Sequence, residues 1–271
     1  MKIIATDLDR TLMPNGNHRL SKGAMEYFKK ALKKNGVKLI YVTGRYKRMI
    51  KDGMKRYKTP KPDFCISLLG TVIYDFCKKD FVEDKEWQKK LEKDWKHYKR
   101  KDVAKILEDV KEIWEQPKPV LNDYKESYYY KLGVDADKLD KKIYTKLKKK
   151  GIKAVIITST DVNRKIGMLD VVPYTGTKMA ALNYLMKKLK VKKKNVLYCG
   201  DSGNDLLPMT SGVKGVLVKN ASDRTKERLK KIVQRKKLGS KVTIAEGGFK
   251  GFNGNYVAGI IEAAHKFGFF K

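Results

Sequence analysis

Short apolar runs alternate with longer amphipathic, lysine-rich stretches, and the alternation predicts most of the fold. Residues 3–8 (IIATDL) are apolar and partly β-branched, which predicts a buried strand. Ser21 stands where an N-cap would, ahead of a helix predicted over roughly 22–34, and Gly36 reads as its stop. Residues 37–42 (VKLIYV) predict a second strand ending at Thr43-Gly44-Arg45, and another helix leads to a third strand near Phe64–Leu68. Strand, helix, strand in this rhythm calls for a parallel sheet with crossover helices.

The rhythm changes near Cys77. Residues 84–115 are long, charged and predicted helical, carrying Trp87, Trp95 and Trp114, until Pro117 and Pro119 end the stretch. The spacing of eight between Trp87 and Trp95 puts them on one helix face, which reads as core. Residues 128–134 predict a strand, 139–150 a helix, and 154–158 and 168–172 two further strands. After Pro173 the first rhythm returns. A helix is predicted over about 177–189, a strand over 195–199 ending at Gly200-Asp201, a strand over 213–218 and a helix over roughly 255–266. The chain is therefore read as α/β: a Rossmann-like core with a parallel sheet from residues 1–76 and 175–271, interrupted by a second α/β domain over 77–174.

Composition narrows the function. No apolar run approaches the ~18–20 residues a membrane span needs. Carboxylates within the first ten residues speak against a secretory signal. Three widely spaced cysteines (Cys65, Cys77, Cys199) suggest no disulfide framework and point to a reducing cytoplasm. With 63 basic and 30 acidic residues the chain is formally +33, which raises nucleic acid as a partner. Its aromatics are not interleaved with Lys and Arg as a base-stacking face requires, so no specific nucleic-acid partner is expected. A nucleic-acid binder or nucleic-acid-end phosphatase stays the distant alternative. Residues 77–174 hold 25 basic and 18 acidic residues; the remainder holds 38 basic and 12 acidic. Four of those twelve acids fall in two clusters, Asp7 with Asp9 and Asp201 with Asp205.

Each cluster follows a predicted parallel strand. In extended chain Asp7 and Asp9 would point the same way, toward the sheet edge where α/β folds bind ligands. Gly200-Asp201-Ser202-Gly203-Asn204-Asp205 repeats the arrangement. Read singly, the first is a pair of loop acids and the second a Gly/Asn/Asp turn. Read together they form a hard-oxygen site suited to Mg²⁺. Thr43-Gly44-Arg45, placed at a helix start, suits a phosphate oxygen, or is a plain N-cap. Lys178 opens the helix after the inserted block.

Strand-D-x-D-x-T, strand-T-G-R, a helix-initial Lys and strand-G-D-S-G-N-D, in that order, resemble the haloacid dehalogenase (HAD) superfamily of phosphatases, and the inserted block resembles the cap of its C2-capped (type IIB) branch. More narrowly, residues 41–45 (YVTGR), 69–74 (LGTVIY), 197–205 (LYCGDSGND), 215–221 (GVLVKNA) and the tail 258–267 make the chain similar to sucrose-phosphate phosphatases. The resemblance implies that Asp7 attacks phosphorus, that Asp9 serves as general acid and base, and that Mg²⁺ sits on the Asp7 carboxylate, the Asp9 backbone carbonyl and Asp201. It implies that Thr43, Gly44 and Asn204 hold phosphate oxygens and that Lys178 spreads the transferring charge. Asp205 would hold Lys178 or a metal-bound water. The expected partner is a small sugar phosphate, most like sucrose 6-phosphate, with other sugar phosphates or a glycosyl-phosphoglycerate as the alternative. A monomer or small homo-oligomer is expected. Three features depart from the family pattern. Arg10 stands where a small residue or Asn is usual. Gly167 and Met168 stand where plant and cyanobacterial members carry a Lys and an Asp, while Asp170 and Pro173 are kept. Residues 161–165 look like an added hairpin turn, with Asn163, Arg164 or Lys165 replacing sugar contacts; Arg45 and Asp170 complete the expected substrate contacts.

Overall fold

The computed structural model describes the chain except residues 78–79, 97, 118–121 and 162–163. Pro119 and Asn163 lie outside the described residues. The main sheet has eight strands: β1 (Ile3–Thr6), β2 (Lys38–Val42), β3 (Phe64–Ser67), β4 (Val72–Asp75), β5 (Val82–Glu83), β10 (Val196–Gly200), β11 (Lys214–Leu217) and β12 (Val242–Ile244). Their spatial order is β12-β11-β10-β1-β2-β3-β4-β5. Six strands pair in parallel, and at one edge β4 pairs antiparallel to β3 and β5 antiparallel to β4. The central strands are buried on both faces, as their unbroken apolar sequences require. Ile4, Leu39, Leu197 and Val216 pack with α1 (Ala24–Asn35) and α9 (Val257–Lys266), while Ile3, Ile40, Val196 and Leu217 pack on the other face with α6 (Lys178–Lys188) and α8 (Asp223–Arg235). The chain leaves β1 toward β2 on one side and β10 toward β11 on the other, so β1 and β10 flank the topological switch point where α/β sheets open a crevice.

A second sheet is wholly antiparallel, in the order β6 (Ile113–Glu115), β7 (Glu126–Lys131), β9 (Ile166–Pro173), β8 (Ala154–Asp161). Alternation over residues 166–171 separates the faces of β9. Leu169 and Val171 are fully buried with residues of α3 (Lys85–Trp95), α4 (Arg100–Leu107) and α5 (Ala136–Lys149). Met168 and Asp170, which point the other way, stay partly open. That open face meets the main sheet, because Val155 and Ile157 line a cleft of about 180 Å³ with Leu69, Lys178, Asn204 and Leu207. The junction is tight: Gly70 has φ +121°, and a Cβ there would lie 2.3 Å from the Thr177 carbonyl carbon.

Several expectations are corrected. Ser21 does not cap α1; Gly23 in the left-handed region does, and the Ser21 hydroxyl accepts from the Asn253 N–H. The stretch 84–115 is two helices and a strand. Trp87 and Trp95 are buried as expected, but Trp114 lies on β6, 43% exposed. Helix α2 (Lys47–Tyr57) starts three residues beyond Gly44, so Thr43 and Gly44 sit in the strand–helix loop, not at a helix terminus.

Candidate active site

Three loops leave the carboxyl ends of β1, β2 and β10 and meet the first turn of α6. Thr177 caps α6 by accepting from the Ala180 N–H, which aims the Lys178 side chain into the crevice. Lys178 is 5% exposed, and its ammonium donates to Asp7 Oδ1 at 2.8 Å, to Asp205 Oδ1 at 2.9 Å and to Asn204 Oδ1 at 3.2 Å. Residues 171 positions apart thus form one buried ion-paired unit. Gly200 makes room for it: a Cβ there would lie 2.4 Å from the Cβ of Asp205.

Carboxylate oxygens of Asp7, Asp201 and Asp205 lie within 4.8 Å of one another, all buried. Burial, opposed by Lys178 and reinforced by Asp205, Asp201 and Asp9, pushes the Asp7 carboxyl well above the usual carboxylate range. Burial and the neighbouring Asp205 push Asp201 up to about 7, against the pull of Arg10, Lys178 and Thr11. Three buried carboxylates against one buried ammonium leave negative charge uncompensated, which is the condition a divalent cation relieves.

The donors show which oxygens could take such an ion. Asp205 is saturated: Oδ1 accepts from Lys178 and the Tyr198 hydroxyl, and Oδ2 from the N–H and hydroxyl of Ser202. It is suited to orienting Lys178. Asp201 is held loosely, by Thr11 Oγ1 at 3.4 Å and by Arg10 Nε at 3.4 Å. Asp7 Oδ2 accepts no hydrogen bond among the described residues. Asp7 and Asp201 are therefore the carboxylates that fit a hard cation, with Asp205 beside them.

Asp9 does not face the same spot as Asp7. The ladder ends at Thr6, and the chain turns through hydrogen bonds from Leu12 N–H to the Asp7 carbonyl and from Met13 N–H to the Leu8 carbonyl. The turn abolishes the two-residue alternation of extended chain. The Asp9 carboxylate instead meets the Arg45 guanidinium through Nε (2.9 Å) and Nη2 (2.7 Å), and accepts from Asn15 Nδ2 at 2.6 Å. As a metal candidate, Asp9 lies outside the carboxylate cluster by its side chain. Arg45, expected as a substrate contact, is committed to Asp9 and to the Met49 carbonyl. Thr43 is fully buried, its hydroxyl accepting from the Arg45 N–H at 3.1 Å.

On the facing sheet, Asp170 accepts from Lys125 and from the Ser127 hydroxyl. Asp170, Ser127 and Ile157 lie in one cross-strand row, so Asp170 shares the open face with the residues lining the cleft. Two positions along, Trp114, Tyr129 and Met168 form the next row of that face; the Trp114 and Tyr129 rings lie 6.1 Å apart. Arg164 pairs with Asp161 and donates to the Tyr129 hydroxyl at 3.2 Å, while Lys165 stands exposed in the turn with φ +50°. The sequence pattern does not mark Tyr198, Ser202, Asn15 or the Trp114–Tyr129 pair as site residues. Tyr198 reads there as one more apolar strand residue, because the pattern shows its ring and not its hydroxyl.

The family described as Sucrose-6F-phosphate phosphohydrolase matches residues 1–268. A putative HAD-like hydrolase of Nitrosococcus oceani is 34% identical over 267 residues, 98% of this chain and 71% of that protein. Probable sucrose-phosphatase 1 of Arabidopsis thaliana is 31% identical over 238 residues, 83% of this chain; the match spans about half, 52%, of the plant protein. The crystal structure of the sucrose-phosphatase of Synechocystis sp. PCC6803, solved with sucrose and phosphate, superposes with a TM-score of 0.77 over 98% of both chains at 24% identity, which speaks for the fold.

Proposed function

The chain belongs to the sucrose-6F-phosphate phosphohydrolase family of HAD phosphatases, and from that membership we propose that it is a Mg²⁺-dependent phosphomonoester hydrolase of a sugar phosphate, with sucrose 6-phosphate as the first candidate substrate. Residues 1–76 and 175–271 are its catalytic domain and 77–174 its cap, and its proposed location is the cytoplasm. The observation that carries the reading is the Lys178 ammonium bridging Asp7 and Asp205 beside Asp201.

Asp7 Oδ2 is the nucleophile: it forms the bond to phosphorus as the bond from phosphorus to the sugar oxygen breaks, giving an aspartyl-phosphate. Asp9, held at the rim by Arg45 and Asn15, delivers the proton to the departing sugar oxygen. It then takes a proton from the water that cleaves the acyl-phosphate and releases inorganic phosphate. Lys178 keeps Asp7 oriented and compensates charge on the transferring group. Thr43, the Gly44 backbone and Asn204 hold phosphoryl oxygens. Asp7, Asp201 and the Asp9 carbonyl would hold Mg²⁺, which neutralises two approaching anions and polarises the phosphoryl oxygen.

The open face of the four-stranded sheet is the proposed sugar reader. Asp170 supplies a carboxylate to sugar hydroxyls, and the exposed Trp114 beside Tyr129 supplies a flat apolar surface. The cations Arg164 and Lys165 at the turn favour a second reading, a glycosyl-phosphoglycerate whose carboxylate they would meet. A phosphate-release screen over sucrose 6-phosphate, hexose phosphates, trehalose 6-phosphate and glycosyl-phosphoglycerates, with and without EDTA, tests both. Turnover of a sugar phosphate that stops in chelator and returns with Mg²⁺ is expected; no turnover of any, or rates indifferent to chelator, refutes the proposal.

A further inference from the structure

Arg10 directly follows the second acid of the first motif, with φ +57°, a backbone conformation that L-residues other than Asn and Asp adopt at a cost and glycine adopts freely. The loop fixes it there from both sides: its N–H donates to Asn15 Oδ1 at 2.7 Å, and its carbonyl accepts from Asn220 Nδ2 at 2.7 Å. From this clamped backbone the side chain returns into the site. Its Nε lies 3.4 Å from Asp201 Oδ2, and its Nη2 donates to the Asn220 carbonyl at 3.5 Å. Lys178, the buried cation of the crevice, is hydrogen-bonded to Asp7 and Asp205 but not to Asp201. Asp201, its side chain 7% exposed, thus has Arg10 as its close cation, and the Arg10 side chain is 46% exposed with a path back to solvent.

We propose that Arg10 is a resident counter-cation for Asp201 that a divalent cation must displace, so that the residue sets the metal affinity of the site. The inference rests on reading the carboxylate cluster as the Mg²⁺ site. A guanidinium and a divalent cation cannot both lie against Oδ2 without strong repulsion. Loading the metal therefore means breaking the Arg10 contact and releasing the side chain toward the cleft. The competing contact is long and half exposed, so its effect is modest: an ion pair of this kind changes an equilibrium by up to about fivefold. Being a contact between charges partly open to solvent, it also weakens with salt.

The test is Mg²⁺ titration by calorimetry into the chelator-stripped full chain, without substrate, for the unmodified protein and for Arg10→Gln and Arg10→Gly. Gln keeps most of the stem and removes the charge; Gly in addition relaxes the backbone. Both variants are expected to bind Mg²⁺ about fivefold more tightly at low salt, with the difference shrinking as salt is raised, and to show a larger Mg²⁺-induced rise in melting temperature. Asp201→Asn is expected to abolish the titration. An unchanged Kd in Arg10→Gln overturns the proposal, even if Arg10→Gly differs, and leaves the metal reading intact. Absence of Mg²⁺ binding in every form, or binding indifferent to Asp201→Asn, overturns the metal reading and this proposal with it.

Discussion

Replacing Asp201 by Asn is expected to make the metal-free protein more stable while destroying its activity. The side chain is nearly isosteric, and the change removes a charge that the fold holds at a disadvantage. In the folded chain the Asp201 carboxyl is raised from 3.8 to about 7, through burial first and the charge of Asp205 second, net of the relief from Arg10, Lys178 and Thr11. A raised carboxyl means that the folded state binds more protons than the unfolded one between pH 4 and 7, so stability falls as pH rises across that window. Below about pH 4 both states are protonated and the penalty is absent. At pH 5 it is ~1.5 kcal/mol, and at pH 8 it is complete at ~4 kcal/mol, from about three pKa units at 1.36 kcal/mol each. At about 2 °C per kcal/mol for a chain of this size, Asp201→Asn should melt ~3 °C above the unmodified protein at pH 5 and ~8 °C above it at pH 8, in EDTA. The assay is a thermal melt at both pH values, repeated with Mg²⁺, where the gap should narrow because only the unmodified protein gains from binding. A variant that melts at or below the unmodified protein at pH 8, or whose advantage is the same at both pH values, refutes the electrostatic argument.

Asp7→Asn should leave the circular dichroism spectrum unchanged and lower phosphate release by on the order of 10³-fold or more, because the amide cannot form the covalent intermediate. Lys178→Met removes the cation from two buried carboxylates and should cost ~3–5 kcal/mol in urea unfolding at pH 7. The loss should shrink as the pH is lowered, since burial raises the Asp7 carboxyl and a proton can take the place of the ammonium. Trp114→Ala should raise KM for the sugar phosphate about fivefold with kcat within about twofold; a change in kcat alone would place the Trp114 surface outside substrate binding.

The likeness of the loops at β1 and β10 explains how much of the site could be read early. Each is an unbroken apolar strand followed at once by carboxylates, and both signals are local in sequence. The same holds for Gly36, which ends α1 in the left-handed conformation as a stop signal should. Local signals failed where a neighbour in space outweighed them. Ser21 has the chemistry of a cap, yet its hydroxyl is taken by Asn253, 232 positions away. Trp114 reads as helical because the charged stretch before it does not break in composition, although its cross-strand partner Tyr129 makes it a strand residue.

The sequence by itself determined that this is an α/β chain with acids at the ends of two central strands, a T-G-R loop after a third and a lysine opening the helix after the inserted block. Period, run length and strand-end position are properties of a few adjacent residues, so they survive without coordinates. Tertiary structure alone decided which groups each acid and each cation of the site faces. The sheet order sets the helix of Lys178 against Asp7 and Asp205, which gives that ammonium its two carboxylate partners. Asp9 turns to Arg45, and Arg10 to Asp201, because the chain leaves the ladder at Thr6 and curls. Charges act through space across a few ångströms, and the distances that count are set by packing rather than by separation along the chain.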